Sequence, residues 1–381
     1  MSDENVTLET ARETMVADLT AYIEQETPSD DLELLRRGFD WVQDFLESRL
    51  GAPEMSERHE DDVHGPVGVN VYGARNGATG NVAVLCHYDT VWPAGTLSNW
   101  PVTIEGDRLT GPGCFDMKAG LVQFVWGLKT AYESGLPVPR VSLVLNGDEE
   151  IGSPASRPII EQVAREADAV LVFEASADAA VKTARKGVGM FRVEVAGVES
   201  HAGLDPERGV SAIDEVSRVV RSLHDAADLN AGTSVNVGLI SGGSRSNVTA
   251  GHAEGQVDVR VSTQAEADRI DALLEGLEPH NPAASIHVTG EWNRPVMPRT
   301  EGNARLYTLA REEAGALGFD LAEISVGGAS DGNFASALGL PVLDGLGAVG
   351  EGAHARHEWV SVDGMVQRAA LAARMLLRLA Q

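Results

Sequence analysis

Val82-Ala83-Val84-Leu85-Cys86-His87-Tyr88-Asp89 runs five apolar residues straight into an imidazole and then a carboxylate. A short unbroken apolar run reads as a strand buried on both faces. The pattern recurs twice. Residues 141–146 run into Gly147-Asp148-Glu149-Glu150, and Val170-Leu171-Val172-Phe173 runs into Glu174. In an open α/β sheet, the carboxyl ends of the strands line the crevice where ligands bind. Two more candidates join them, Asp116 in Gly113-Cys114-Phe115-Asp116-Met117-Lys118 and His354 in Gly352-Ala353-His354-Ala355-Arg356-His357-Glu358. Two imidazoles and three carboxylates at the mouths of one sheet suit a cage for two divalent metals, which points to a metal-dependent hydrolase.

Outward from these runs, residues 7–50 carry apolar side chains at helical spacing: Leu8, Met15, Leu19, Tyr22 and Ile23, then Leu32, Leu35, Phe39, Val42, Phe45 and Leu46. Short strands and long helices follow through Glu174, the α/β pattern. Residues 117–133 read as a helix, with Asp116 just before its start. The pattern changes between 182 and 290: a strand at 187–197, a helix at 209–226, strands at 233–241 and 253–262, a helix at 263–277 and a strand at 285–289. That order, β-α-β-β-α-β, is the ferredoxin-like split unit. A last α/β stretch from about 292 to 381 holds His354 and ends in a helix at 362–379. Metal candidates lie on both flanks. The expectation is therefore one α/β catalytic domain made of residues 1–181 and 291–381, with residues 182–290 inserted as an α+β domain.

Composition narrows the function classes. The 381 residues are too many for one simple core, and 43% hydrophobic content is ample for globular packing. No apolar run approaches the roughly 18 residues of a membrane span. The start, Met1-Ser2-Asp3-Glu4-Asn5, is polar and acidic rather than a secretory signal. Cys86 and Cys114 are the two cysteines, read as reduced thiols, and the expected location is the cytoplasm. A formal net charge of -27 argues against nucleic acid or an anionic membrane as partner. Lysine is confined to Lys118, Lys129, Lys182 and Lys186. This fits a salt-adapted cytosol, where an acidic surface stays hydrated and its self-repulsion is screened, and equally a GC-rich coding bias toward arginine. An acidic substrate stays open, because a few arginines can reverse the field inside a cleft.

Each motif alone has a plainer reading. Asp89 can accept the second ring N–H of His87, which fixes a ligating tautomer, but His-x-Asp by itself is a weak signal. Asp116, between a glycine-rich turn and a helix, also reads as a helix cap. Asp148-Glu149-Glu150 also reads as a solvated acidic turn. Glu174 directly follows four apolar residues, a costly place for a carboxylate without a cation or a partner. His354 and His357 are equal candidates on spacing.

Taken together in order, Cys86-His87-Tyr88-Asp89-Thr90, Gly113–118, Asp148-Glu149-Glu150-Ile151-Gly152-Ser153, Phe173-Glu174 and Ala353-His354-Ala355-Arg356-His357-Glu358 resemble the M20 metallopeptidases over nearly the whole chain. The passage from Asp89-Thr90-Val91-Trp92-Pro93 to Trp100-Pro101 is most similar to their glutamate carboxypeptidase group. The resemblance implies a zinc-peptidase-like catalytic domain with an inserted ferredoxin-like dimerisation lid. It implies that His87 and Glu174 hold one zinc, Glu150 and His354 the other, and that Asp116 bridges them. Asp89 would orient His87, and Glu149 would be the general base. The family pattern sets its last histidine four residues before a glutamate, which selects His354 over His357. Cobalt or manganese would suit the same mixed donor set.

In the lid, the resemblance makes His201, in Ser200-His201-Ala202-Gly203, a donor to the reaction's oxyanion in the partner subunit. It makes Asn247 and Arg260 substrate-holding residues; without it, His201 reads as a surface residue and Arg260 as a structural ion pair. Residues 327–333 are similar to a substrate-side loop, though a plain tight turn fits too. Cys114 stands where small or β-branched residues are common, and Val248-Thr249-Ala250 lacks a common proline. The expected activity is hydrolysis of a C-terminal, glutamate-type amide in a small peptide or N-acyl amino acid by a homodimer. The alternative is a biosynthetic deacylase of the acetylornithine or succinyl-diaminopimelate type. Rivals from other classes are a non-catalytic binding shell and an esterase or phosphatase on an unrelated fold.

Overall fold

In the computed structural model, which describes residues 3–380, the three apolar runs are adjacent parallel strands. Arg140–Asn146, Asn81–His87 and Ala169–Val172 form the centre of a six-stranded sheet. Val67–Tyr72 and then Met55–His59 extend one side antiparallel, and Val342–Leu343 pairs parallel with Ala169–Val172 on the other. The central strands are buried along almost their whole length, as strands covered on both faces must be. His87 registers opposite Asn146, so these two strands end together, and Phe173-Glu174 continues the third. One rim therefore collects the segments that carry His87, Glu149, Glu150 and Glu174.

The amino-terminal helical stretch is two helices, Asp3–Ile23 and Leu32–Leu50. The second starts at Asp31, whose side chain accepts the Leu34 N–H at 3.0 Å. The apolar positions from Leu8 to Ile23 and from Leu35 to Leu46 named above are buried; Leu32 is only partly so. The helix Ala119–Glu133 is apolar nearly all round and packs against Val362–Arg378. Two glycines set its position. A Cβ on Gly127 would lie 2.7 Å from that of Ala372, and one on Gly120 would lie 1.9 Å from the carbonyl oxygen of Phe173. The helix start is thus pressed against the strand end that precedes Glu174.

A small antiparallel sheet, Gly350–Glu351, Trp359–Ser361, Arg108–Thr110 and Thr103–Glu105 in that order, does a separate task. The loop bearing His354 joins its first two strands, and the Asp116 loop leaves its third, so two distant candidates are brought together.

The chain divides into two units. One is everything up to Ala184, Arg299–Val326, and the chain from Ser330 onward; the other is Arg185–Pro298 with Gly327–Ala329. The second unit has the order Gly187–Ala196, helix Ala212–Asp225, Ser234–Gly242, His252–Val261, helix Gln264–Glu275 and Ser285–Arg294, the β-α-β-β-α-β sequence. Its sheet order is second, third, first, fourth, all antiparallel. Phe191, Val193, Val195, Val257 and Val259 alternate inward onto Val216, Val219, Ile270 and Leu274 of the helices. The divisions fall after Ala184 and Pro298, not at 181 and 290. The last strand is longer than its apolar signal: it stays paired with Gly187–Ala196 past Gly290 and through a bulge to Arg294, and Arg185 and Met297 then exchange backbone hydrogen bonds. Among the described residues, no helix is long and apolar enough to cross a membrane.

Candidate metal centre

His87 ends its strand almost completely buried, 2% exposed. Its Nδ1 lies 3.0 Å from the carbonyl oxygen of Asp89 and 3.3 Å from Asp89 Oδ1. That interaction aims Nε2 at the rim, 3.3 Å from Asp116 Oδ1 and 3.4 Å from Glu174 Oε1. The other carboxylate oxygen, Asp116 Oδ2, lies 3.3 Å from His354 Nε2, which in turn lies 3.0 Å from Glu150 Oε2. Asp116 thus faces one histidine with each oxygen. His354 takes a left-handed backbone (φ 59°), costly for a histidine and of a kind that clusters at functional sites. His357 makes none of these contacts.

These spacings fit metal ligands. Two donors each about 2.0–2.1 Å from one tetrahedral ion stand about 3.3 Å apart. His87 Nε2 and Glu150 Oε1 are buried with no hydrogen-bond partner, an expensive condition that a cation would relieve. One ligand atom each from His87, Asp116 and Glu150, and likewise from His87, Glu149 and Glu174, lie within 4.8 Å of one another. The residues present therefore suit two divalent ions. Glu194, His252 and Glu254 form another such group in the second unit, but Arg192 already bridges its two glutamates on an open sheet face.

The electrostatics agree. Hydrogen bonds from its ring to the carboxylates of Asp116 and Glu150 hold His354 up at about 11. Burial alone would push His87 down, yet Asp116, Asp89 and Glu174 carry it well above the usual imidazole range. Burial and then the charge of Asp116 raise Glu150 to about 7. The metal-free cluster thus binds protons that a divalent cation would displace. Both imidazoles have folded values above their unfolded ones, so their stabilisation is present below about pH 6.5 and is lost as pH rises. Glu150 acts in the same direction. Lys118, lowered by burial to about 7, acts oppositely but is one group against two histidines. The chelated protein should melt lower at pH 9 than at pH 6, and metal should restore more stability at pH 9. Thermal melts with and without chelator check this; a chelated protein no less stable at pH 9 would contradict it.

Asp89 does more than face His87. Its oxygens accept the backbone N–H groups of Glu149 (3.3 Å) and Glu150 (3.2 Å) and the hydroxyl of Ser29 (2.8 Å). Buried Asp148 turns away from the rim and accepts the N–H groups of Ala155 and Ser156. The aspartate of the acidic triplet therefore builds the turn, while the glutamates that follow face the cluster. Asp116 is not a helix cap: the cap position is Lys118, and Asp116 and Met117 leave helical backbone angles within the turn Cys114–Lys118. Lys118 itself is buried, and its ammonium donates to the carbonyls of Tyr22 (3.2 Å), in the last turn of the first helix, and Gln25 (2.5 Å), just past its end. Ser29, Lys118, Asp331 and Glu358 were not singled out as functional from sequence, although the last three lie inside quoted motifs. Asp331 accepts from Ser153 at 2.5 Å and from Asn146 at 2.8 Å, bracing the turn after Glu150. Cys86 and Cys114 are free and buried, and burial raises both thiols above their usual range, which disfavours the metal-binding thiolate.

His201, Asn247 and Arg260 lie in the second unit. His201 Nδ1 accepts the N–H groups of Gly203 and Leu204, each at 3.1 Å, which leaves Nε2–H as the donor. Its segment bridges Val248, and Ala202 donates to the carbonyl of Asn247, so His201 and Asn247 are neighbours. Thr249 donates its N–H to Ser200 in the turn that lacks proline. Arg260 here meets a carboxylate of its own strand: Nε and Nη2 reach Asp258 at 3.1 and 3.4 Å, and Nη1 the Gly327 carbonyl at 3.1 Å. Arg185 holds the carbonyls of Gly328 and Ala329. The 327–329 turn therefore offers these arginines its carbonyls.

The model of peptidase family M20/M25/M40 matches residues 83–378. Carboxypeptidase G2 of Pseudomonas sp. (strain RS-16) is 30% identical over 376 residues, covering 96% of this chain and 89% of that protein. Acetylornithine deacetylase of Myxococcus xanthus is 29% identical over 249 residues, 61% of this chain and 64% of that protein. The structure of the M20 family metallo-carboxypeptidase Sso-CP2 from Sulfolobus solfataricus superimposes with a TM-score of 0.76 at 17% identity, covering 96% of this chain and 99% of that one. Fold, rim chemistry and these similarities agree, and the chain belongs to peptidase family M20/M25/M40 as a metal-dependent hydrolase.

Proposed function

We propose that this chain uses two divalent ions, zinc by preference, to cleave the amide of a C-terminal, glutamate-type residue in a small peptide or N-acyl amino acid. The observation that carries the reading is the Asp116 carboxylate, whose oxygens each stand 3.3 Å from a different histidine. His87 and Glu174 would hold one ion, Glu150 and His354 the other, and Asp116 both. Ions held by these residues would supply Lewis acidity, for water and for the scissile carbonyl. Glu149 takes the water's proton and delivers it to the leaving nitrogen, ordinary acid–base work for a carboxylate at a rim. Asp89 fixes the ring of His87 and, through two N–H groups, the turn that carries Glu149 and Glu150. In a dimer, His201 would offer Nε2–H to the oxyanion developing in the partner subunit's site. Asn247 and Arg260 hold the substrate, and the Arg260 fork takes a substrate carboxylate in place of Asp258 or beside it. Two such chains pair through the inserted unit, and the free buried thiols favour a reducing compartment.

The similarity to an acetylornithine deacetylase favours a second reading, a biosynthetic deacylase with the same ions. Turnover of an N-acyl-glutamate, a C-terminal-glutamate dipeptide, acetylornithine and succinyl-diaminopimelate separates the two. A kcat/KM at least about tenfold higher on the glutamate substrates, a difference of about 1.4 kcal/mol in transition-state binding, is expected. Preference for acetylornithine or succinyl-diaminopimelate would replace the first reading with the second. Cleavage of none of the four would remove both.

A further inference from the structure

Glu358 is a fully buried carboxylate, 0% exposed, in a loop otherwise rich in exposed residues. Burying such a charge is expensive unless hydrogen bonds replace its water. Here they do. Oε1 accepts the backbone N–H groups of Phe115 at 2.8 Å and Asp116 at 3.0 Å. Oε2 accepts the N–H of Gly113 at 3.0 Å and the indole N–H of Trp92 at 3.1 Å. Three of the four donors belong to the loop that presents Asp116, and one is the N–H of Asp116 itself. Gly113 has a left-handed backbone (φ 71°), and successive N–H groups wrapped round an anion in this way form a rigid concavity.

The same residue is fastened at its other end to His354. Glu358 lies four positions on, and two turns close the loop between them, Ala355 N–H to Gly352 O at 2.9 Å and Glu358 N–H to Ala355 O at 2.9 Å. One carboxylate therefore connects the Asp116 loop to the His354 loop without touching either candidate ligand atom. A side chain needed only for packing would be apolar at this depth. Charge-assisted bonds to three N–H groups of one loop serve to fix that loop's direction.

We propose that Glu358 is a positioning residue. It sets the Asp116 carboxylate between His87 and His354, so that the two half-sites fill together. This rests on the reading of Asp116 as the shared ligand.

The test is titration of metal-depleted full-length protein with Co2+, followed by calorimetry and visible absorption, alongside the melting temperature of the metal-free form. Glu358→Gln keeps the shape but turns an amide NH2 toward N–H donors. Its Co2+ affinity should fall about 10–100-fold, the usual effect of losing an outer-sphere partner, with the two binding events no longer coupled. Trp92→Phe removes the single donor outside the Asp116 loop and should bind Co2+ as wild type does. Should Glu358→Gln not fold, Glu358→Asp, with charge kept and reach shortened, should show the same weakening.

A structural role alone would lower the metal-free melting temperature and leave the Co2+ affinity of the folded protein unchanged, and that result overturns the proposal. So does Trp92→Phe weakening Co2+ binding as much as Glu358→Gln. A wild-type protein that binds one Co2+ would instead remove the shared-ligand reading, whatever the variants do.

Discussion

Glu149→Gln should lower kcat by about 10^2–10^4-fold, the range for removing a positioned acid–base group, with metal content and KM unchanged. The substitution is nearly isosteric and removes only the capacity to take and return a proton. The backbone N–H of Glu149 still donates to Asp89, so the turn keeps its shape. Metal content is the decisive second readout, because a Glu149 oxygen also lies within 4.8 Å of ligand atoms of His87 and Glu174. If the variant loses an ion together with turnover, Glu149 is a ligand and the base must be sought elsewhere. If turnover stays within tenfold, the proposed proton path is wrong.

Asp116→Asn should cost metal as well as turnover. An amide offers one oxygen and one NH2 where the carboxylate offers two oxygens, so only one of the histidine-flanked half-sites keeps its donor. The variant should hold at most one ion per chain. Each catalytic ion supplies several kcal/mol of charge stabilisation, so kcat should fall by about 10^3-fold or more. The two histidines would also lose the carboxylate that faces both. Metal analysis and turnover on the same preparation check this; two ions with wild-type turnover would show that Asp116 is not shared.

Most of what positions the site could be read from sequence for a physical reason. Parallel strands covered on both faces need unbroken apolar runs, so residues 82–86 and 170–173 announced both the strand and the place where it stops. Phe191, Val193 and Val195 alternate along the strand expected at 187–197, as a sheet with one covered face requires. What was hidden depends on long-range partners. Arg294 carries no strand signal, and it is paired because its neighbours on Gly187–Ala196 continue the ladder. Glu358 serves in the sequence to select His354, and nothing local there marks it as buried. Its burial follows from the small sheet that sets Trp359 opposite Thr110. Asp116 sat where a cap is common, yet the glycine-rich turn before it gathers N–H groups onto Glu358 instead. Arg260 had its competitor, Asp258, two residues away on the same face, and only the structure showed them joined.

The most direct test is the metal content of the purified wild-type chain, measured with turnover of a C-terminal-glutamate dipeptide before chelation, after it, and after adding Zn2+ back. Two ions per chain, with turnover lost on chelation and restored as the second ion returns, is the predicted result. Full turnover by the metal-free chain, or saturation of both binding and turnover at one ion, would contradict a shared two-metal centre.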